Sequence, residues 1–147
     1  MGRRPASPGS RPGFPSRVAG IAVSTVAREY DLDDRAAASK ARAALSAFEP
    51  ALSRRVFQNA RLLVTELVTN AVRHAPAATE GRVALRLTLG AGGLRIEVSD
   101  PGRGFEPQIE SASPDGGRGL MIVRELSDRW GIRANPTTTV WCTLAGA

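Results

Sequence analysis

The sequence predicts an α+β protein: a two-layer sandwich with helices packed on one face of a mostly antiparallel sheet. Three observations lead there. A long apolar helical segment runs from about Pro50 to His74. Two alternating strand runs, Val83 to Leu89 and Leu94 to Val98, meet at Gly90-Ala91-Gly92-Gly93. Strands and helices group together without the regular alternation that parallel sheets need.

Residues 1–17 are rich in proline, glycine, serine and arginine. They have too little apolar surface to offset the entropy of ordering, so a disordered basic tail is expected, followed by one domain over residues 18–147. Within that domain, Ala22 to Tyr30 reads as a poorly patterned strand. Asp33 or Asp34 suits a helix cap, with the helix running through the alanine-rich segment to about Phe48. Pro50 fits the first turn of the long helix and Pro76 stops it. Leu120 to Leu126 reads as a short helix behind a glycine-rich loop. Gly131 to Ala134 and Thr138 to Leu144 read as closing strands, with Asn135-Pro136 turning between them.

Composition narrows the function classes. The net charge of +6 and pI near 11.1 invite a nucleic-acid reading. Arg3, Arg4, Arg11 and Arg17 supply +4 of it from the tail, leaving a domain near +2, so nucleic acid is disfavoured as a partner. No apolar run reaches membrane-spanning length. Arg3-Arg4 ahead of the mild apolar run Val18 to Ala27 is a poor export signal, because the run is short and interrupted. Cys142 is the single cysteine, which leaves no intrachain disulfide and no cysteine-based zinc site. A cytoplasmic protein is the expectation.

The candidate chemistry starts in the long helix. Glu66 and Asn70 stand four residues apart and therefore lie nearly one above the other. Leu52, Val56, Ala60, Leu63, Leu67 and Ala71 form the adjacent core stripe, so the polar pair borders the buried face. A carboxylate and an amide oxygen there could orient a nucleophile and hold magnesium. Arg73 extends the same stripe, toward phosphate or toward Glu66. Asp100 shares the parity of Leu94, Ile96 and Val98, which aims it at the helix layer, where it could accept a hydrogen bond from an exocyclic amine such as adenine's. Gly102 and Gly104 would let the backbone approach a ligand closely. Gly116, Gly117, Arg118, Gly119 and Leu120 open a helix whose free amides and dipole favour phosphate. Lys40 is the sole lysine and sits far from any glycine loop, so a phosphate-binding loop with Gly-Lys-Ser/Thr is absent.

In order, Glu66-x-x-x-Asn70, Asp100-x-Gly102-x-Gly104 and Gly117-x-Gly119-Leu120 resemble the N, G1 and G2 boxes of Bergerat-fold (GHKL, histidine kinase-like) ATPases. Residues 66–75, Glu-Leu-Val-Thr-Asn-Ala-Val-Arg-His-Ala, are most similar to the stand-alone bacterial anti-sigma factor serine kinases. The resemblance covers roughly residues 22–144. It implies ATP bound between the helices and a lid over Phe105 to Asp115, Asn70 as a magnesium ligand and Asp100 at adenine. Glycines of both boxes, with Arg118, would cradle phosphate, and Glu66 would be the general base toward an incoming serine hydroxyl. The implied partner is a regulatory protein, an anti-sigma factor antagonist or a sigma factor, and homodimers are common in the family.

One other reading stands beside it, and one fails. A non-catalytic module whose ATP-bound state sequesters a sigma factor fits the same boxes. A sensor histidine kinase needs a dimerisation helix pair bearing its own histidine. The one histidine here, His74, ends the box helix and suits the helix dipole instead.

Overall fold

The computed structural model describes residues 17–18, 21–31, 34–74, 82–100, 118–133 and 137–146. Most of the expected basic tail, the Pro76 stop, the 105–115 lid and the Asn135-Pro136 turn lie outside them.

A two-rung antiparallel ladder between β1 (Arg17–Val18) and β2 (Ile21–Ala22) comes first. Then β3 (Ser24–Asp31), β4 (Arg82–Gly90), β5 (Gly93–Asp100), β6 (Arg129–Arg133) and β7 (Thr138–Leu144) build one sheet. Its spatial order is β3-β4-β5-β7-β6 and every neighbouring pair is antiparallel. Three α-helices, α1 (Ala37–Leu45), α2 (Arg54–His74) and α3 (Arg118–Leu126), supply the second layer.

Period-two patterning places the sheet side of the core. Val83, Leu85 and Leu87 of β4 and Leu94, Ile96 and Val98 of β5 are buried, with Cys142 and Leu144 of β7 beside them. The helical side is the stripe read from sequence from Val56 to Ala71, widened by Val64 and Val68, whereas Leu52 precedes α2 in extended geometry and is only partly buried. Each such side chain contributes roughly 1.5–3 kcal/mol on leaving water.

Three boundaries differ from expectation. The first helix stops at Leu45 and continues as a 3-10 segment, Ser46–Ala51, that contains Pro50. Proline has no N–H to donate and disfavours helical geometry in the residue before it, so Pro50 closes the first helix region instead of opening α2. The cap of α2 is Ser53, whose Oγ accepts from the Val56 N–H at 3.2 Å and whose carbonyl accepts from Phe57 at 2.9 Å. β6 begins at Arg129, two residues early, because its register follows β7. Asp34 does not cap α1: the cap position is Ala36, without a side-chain capping bond, and Asp34 instead shapes the preceding turn, accepting from the Ala36 N–H at 2.8 Å.

The β4–β5 hairpin closes on the pair Gly90 and Gly93, with Ala91-Gly92 as the turn. Gly93 has φ +108°, and a Cβ there would stand 2.1 Å from the Leu144 carbonyl oxygen. Only glycine serves at that corner.

The outer sheet face carries polar residues that are nevertheless buried. Arg95 and Glu97 are 7% and 2% exposed. The Glu97 carboxylate meets Arg133 at 3.1 Å and Arg95 at 3.6 Å, while the Arg95 guanidinium stacks 4.4 Å from the Trp141 ring centre. Trp141 thus lies on the outer face, as its parity required. Gly131 makes room for it, since a Cβ there would come within 2.7 Å of the ring.

Cys142 lies on the opposite, core side. Burial pushes its thiol up to about 12, against a smaller opposing pull from Arg95. The nucleophile is the thiolate. Native protein at pH 8 is therefore expected to resist alkylation by iodoacetamide, with labelling appearing only on unfolding. Mass spectrometry with and without urea reads this directly, and full labelling without urea would contradict the assignment.

Candidate functional site

Helix α2 packs against both β5 and α3, as well as α1. Glu66 and Asn70 of this helix are half-buried, between the buried Leu67 and Ala71 and the solvent side of the helix. This is the border position their spacing implied. Intermediate burial leaves a carboxylate or amide reachable by a ligand while its backbone is fixed by the packed stripe beneath. Arg42 of α1 braces the same rim: its Nη1 donates to Thr65 Oγ1 at 3.0 Å, one residue before Glu66. Arg73 is exposed near the end of α2 and takes part in further polar contacts.

Asp100 is the last residue of β5 and only 6% exposed. Its burial on the parity of Leu94, Ile96 and Val98 places it on the sheet face toward the helices. It is also engaged in polar interaction. Arg118 and Gly119 are the first residues of α3, so the unpaired amides of that helix start fall at the second glycine segment. Leu120 is buried and anchors the first turn, and Val123 sits in the core one turn on. Gly102, Gly104 and Gly117 lie outside the described residues.

Sequence reasoning missed Thr138. It stands directly across the ladder from Asp100, and both are buried, at 5% and 6% exposure. Next to them the Ser99 and Thr139 hydroxyls share a 2.7 Å hydrogen bond on the opposite sheet face. No motif flags Thr138; only the β5–β7 register brings it to Asp100.

Among the described residues, no three His, Cys, Asp or Glu side chains gather as metal ligands, and no helix is long and apolar enough to cross a membrane.

The chain is similar to known proteins over most of its length. Residues 31–144 match the histidine kinase-like ATPase domain. The sensor histidine kinase PdtaS of Mycobacterium tuberculosis, from strains CDC 1551 / Oshkosh and ATCC 25618 / H37Rv, is 45% identical over 67 residues. That stretch is 44% of this chain and 13% of the relative, so the chain corresponds to a small part of those proteins. With a match that takes in four of the five strands of the main sheet and all three helices, the chain belongs to the histidine kinase-like ATPase domain family and is of ATP-binding, kinase-like type.

Proposed function

We propose that the protein is an ATP- and magnesium-dependent serine/threonine kinase of the anti-sigma factor type, working in the cytoplasm on a regulatory protein partner such as an anti-sigma factor antagonist. The observation that carries the reading is the half-buried Glu66–Asn70 pair on the helix that packs against both the strand ending in buried Asp100 and the helix beginning at Arg118.

Asn70 would hold magnesium, which supplies charge neutralisation at the phosphates. Asp100, with Thr138 beside it, would accept from the adenine amine. Arg118, Gly119 and the α3 amides would face phosphate oxygens, joined by Gly102, Gly104 and Gly117, with Arg73 as a further cation and Leu120 fixing the turn. The partner's hydroxyl oxygen attacks the γ-phosphorus, and the bond from that phosphorus to the bridging oxygen breaks with release of ADP. Glu66 takes the hydroxyl proton.

Transfer of labelled γ-phosphate from magnesium-ATP to proteins of the source cells tests it. A labelled band whose phosphate survives acid is expected, as for a phosphoserine or phosphothreonine ester. ATP binding without any labelled protein would leave the non-catalytic switch in its place. A second reading rests on the 45% identity to a sensor histidine kinase: transfer to a histidine, whose phosphoramidate is lost in acid. Acid stability of the label separates the two.

Asp100→Asn should weaken ATP binding by about 10- to 100-fold, the cost of roughly 1.5–3 kcal/mol for losing a charged acceptor. Thr138→Val should cost less. Titration calorimetry with ATP and GTP checks both, and unchanged ATP affinity in Asp100→Asn would remove Asp100 from the adenine site.

A further inference from the structure

Helix α2 starts against its own dipole. Arg54 and Arg55 stand in its first turn, which holds no acidic residue, and cations there oppose the positive end of the helix. Between its start and Glu66 the helix carries Arg54, Arg55 and Arg61 and no acid. All three arginines are exposed. Among the described residues none of them has a carboxylate within ion-pair distance, Glu49 just ahead of the helix included. Neither helix formation nor ion pairing accounts for this charge.

Helix periodicity sets these groups in order. Seven and then four residues separate Arg55, Leu62 and Glu66, which puts them on one line along α2, about 10 Å and then about 6 Å apart. Arg54 and Arg61, also seven apart, run beside that line, with exposed Gln58 between. Val56, Ala60, Leu63 and Leu67 hold the other side of the helix in the core. Leu62 is 43% exposed, one of two large apolar side chains exposed among the described residues. A leucine flanked by arginines and one turn from half-buried Glu66 matches a chain of mixed character: acidic over the arginines, apolar at Leu62.

A nucleic-acid strand lacks that order. It carries a phosphate at every step and would run its charge into the Glu66 carboxylate. We propose that the N-terminal half of α2 is the docking face for the partner's acceptor segment, an extended acidic stretch. Its carboxylates pair with Arg54, Arg55 and Arg61, an apolar side chain rests on Leu62, and the hydroxyl is thereby delivered to Glu66. The inference rests on Glu66 as the base of the proposed kinase and adds the substrate class that kinase selects. At about 3.3 Å per extended residue, the apolar side chain falls about three places from an acid and the hydroxyl about two places further.

Fluorescence anisotropy of labelled Glu-Glu-Glu-Leu-Gly-Ser and of its reversed sequence, titrated with the full chain without nucleotide, tests it. Saturable binding in one direction is expected, with the Gln-Gln-Gln-Leu-Gly-Ser and Glu-Glu-Glu-Gly-Gly-Ser counterparts weaker by roughly tenfold or more. Arg54→Glu/Arg55→Glu should weaken binding by roughly tenfold or more while raising the thermal unfolding midpoint, because glutamates suit a helix start. Damage to the fold would lower both. Leu62→Ser should bring the leucine peptide down to the affinity of the glycine peptide and leave the glycine peptide unchanged. Binding unchanged in both variants would overturn the proposal and assign the peptide to the arginines of residues 1–17. Tighter binding of labelled oligothymidylate, lost in the same arginine variant, would overturn it in favour of nucleic acid. Peptide that binds as expected yet takes no phosphate from magnesium-ATP would sink the kinase and keep the docking face. Phosphate transfer to cell proteins that is indifferent to both variants would sink the docking face and keep the kinase.

Discussion

Glu66→Gln should reduce phosphate transfer by about 10²- to 10⁴-fold, the usual range for losing a positioned general base. ATP affinity should hardly change. The amide keeps the size and the half-buried position of Glu66, so the α2 stripe beneath it, Leu63, Leu67 and Val68, is undisturbed. What it loses is the capacity to accept a proton. A split between transfer and binding is the signature to look for, because a structural role would lower both. Wild type and variant are compared by single-turnover transfer of labelled γ-phosphate at saturating magnesium-ATP, with affinity measured in parallel by calorimetry. Undiminished transfer would remove Glu66 as the base. Asn70→Ala gives the complementary pattern: magnesium-dependent affinity falls, while the weaker magnesium-free binding stays.

The parts of this design that sequence revealed are those set by short-range rules. The period of α2 located its buried stripe and put Glu66 and Asn70 on its border. Strand parity put Asp100 on the helix side and Trp141 on the outer face. Each inference depends on where a side chain points within one element, and backbone geometry fixes that. The misses have the opposite character. Thr138 joins Asp100 through a register between strands nearly forty residues apart, which no local pattern encodes. Pro50 satisfied the rule for a helix start, yet Ser53, three residues on, makes the cap, since both residues suit a first turn and only the geometry chooses. β3 looked poorly patterned because it is an edge strand, with Tyr30 its one fully buried position.

Glu97→Ala is expected to be among the most destabilising single substitutions outside the core, at roughly 3–5 kcal/mol. Arg133 is about half exposed and recovers hydration when its partner is removed. Arg95 cannot, because its side chain is only 9% exposed and pinned between β5 and Trp141. Its contact with the indole, worth about 0.5–2 kcal/mol, does not replace a carboxylate. The cost is therefore that of an uncompensated buried charge, and it is large against a typical total stability of about 5–15 kcal/mol. The same reasoning makes a second outcome sharp. Arg95→Met/Glu97→Leu removes both charges and keeps apolar volume under Trp141, so the double variant should lie within about 1 kcal/mol of wild type, or above it. Urea unfolding followed by tryptophan fluorescence measures all three proteins. A Glu97→Ala protein as stable as wild type would mean that water reaches Arg95. A double variant as unstable as Glu97→Ala would mean that the pair sets the β5–β7 register, with ion pairing secondary.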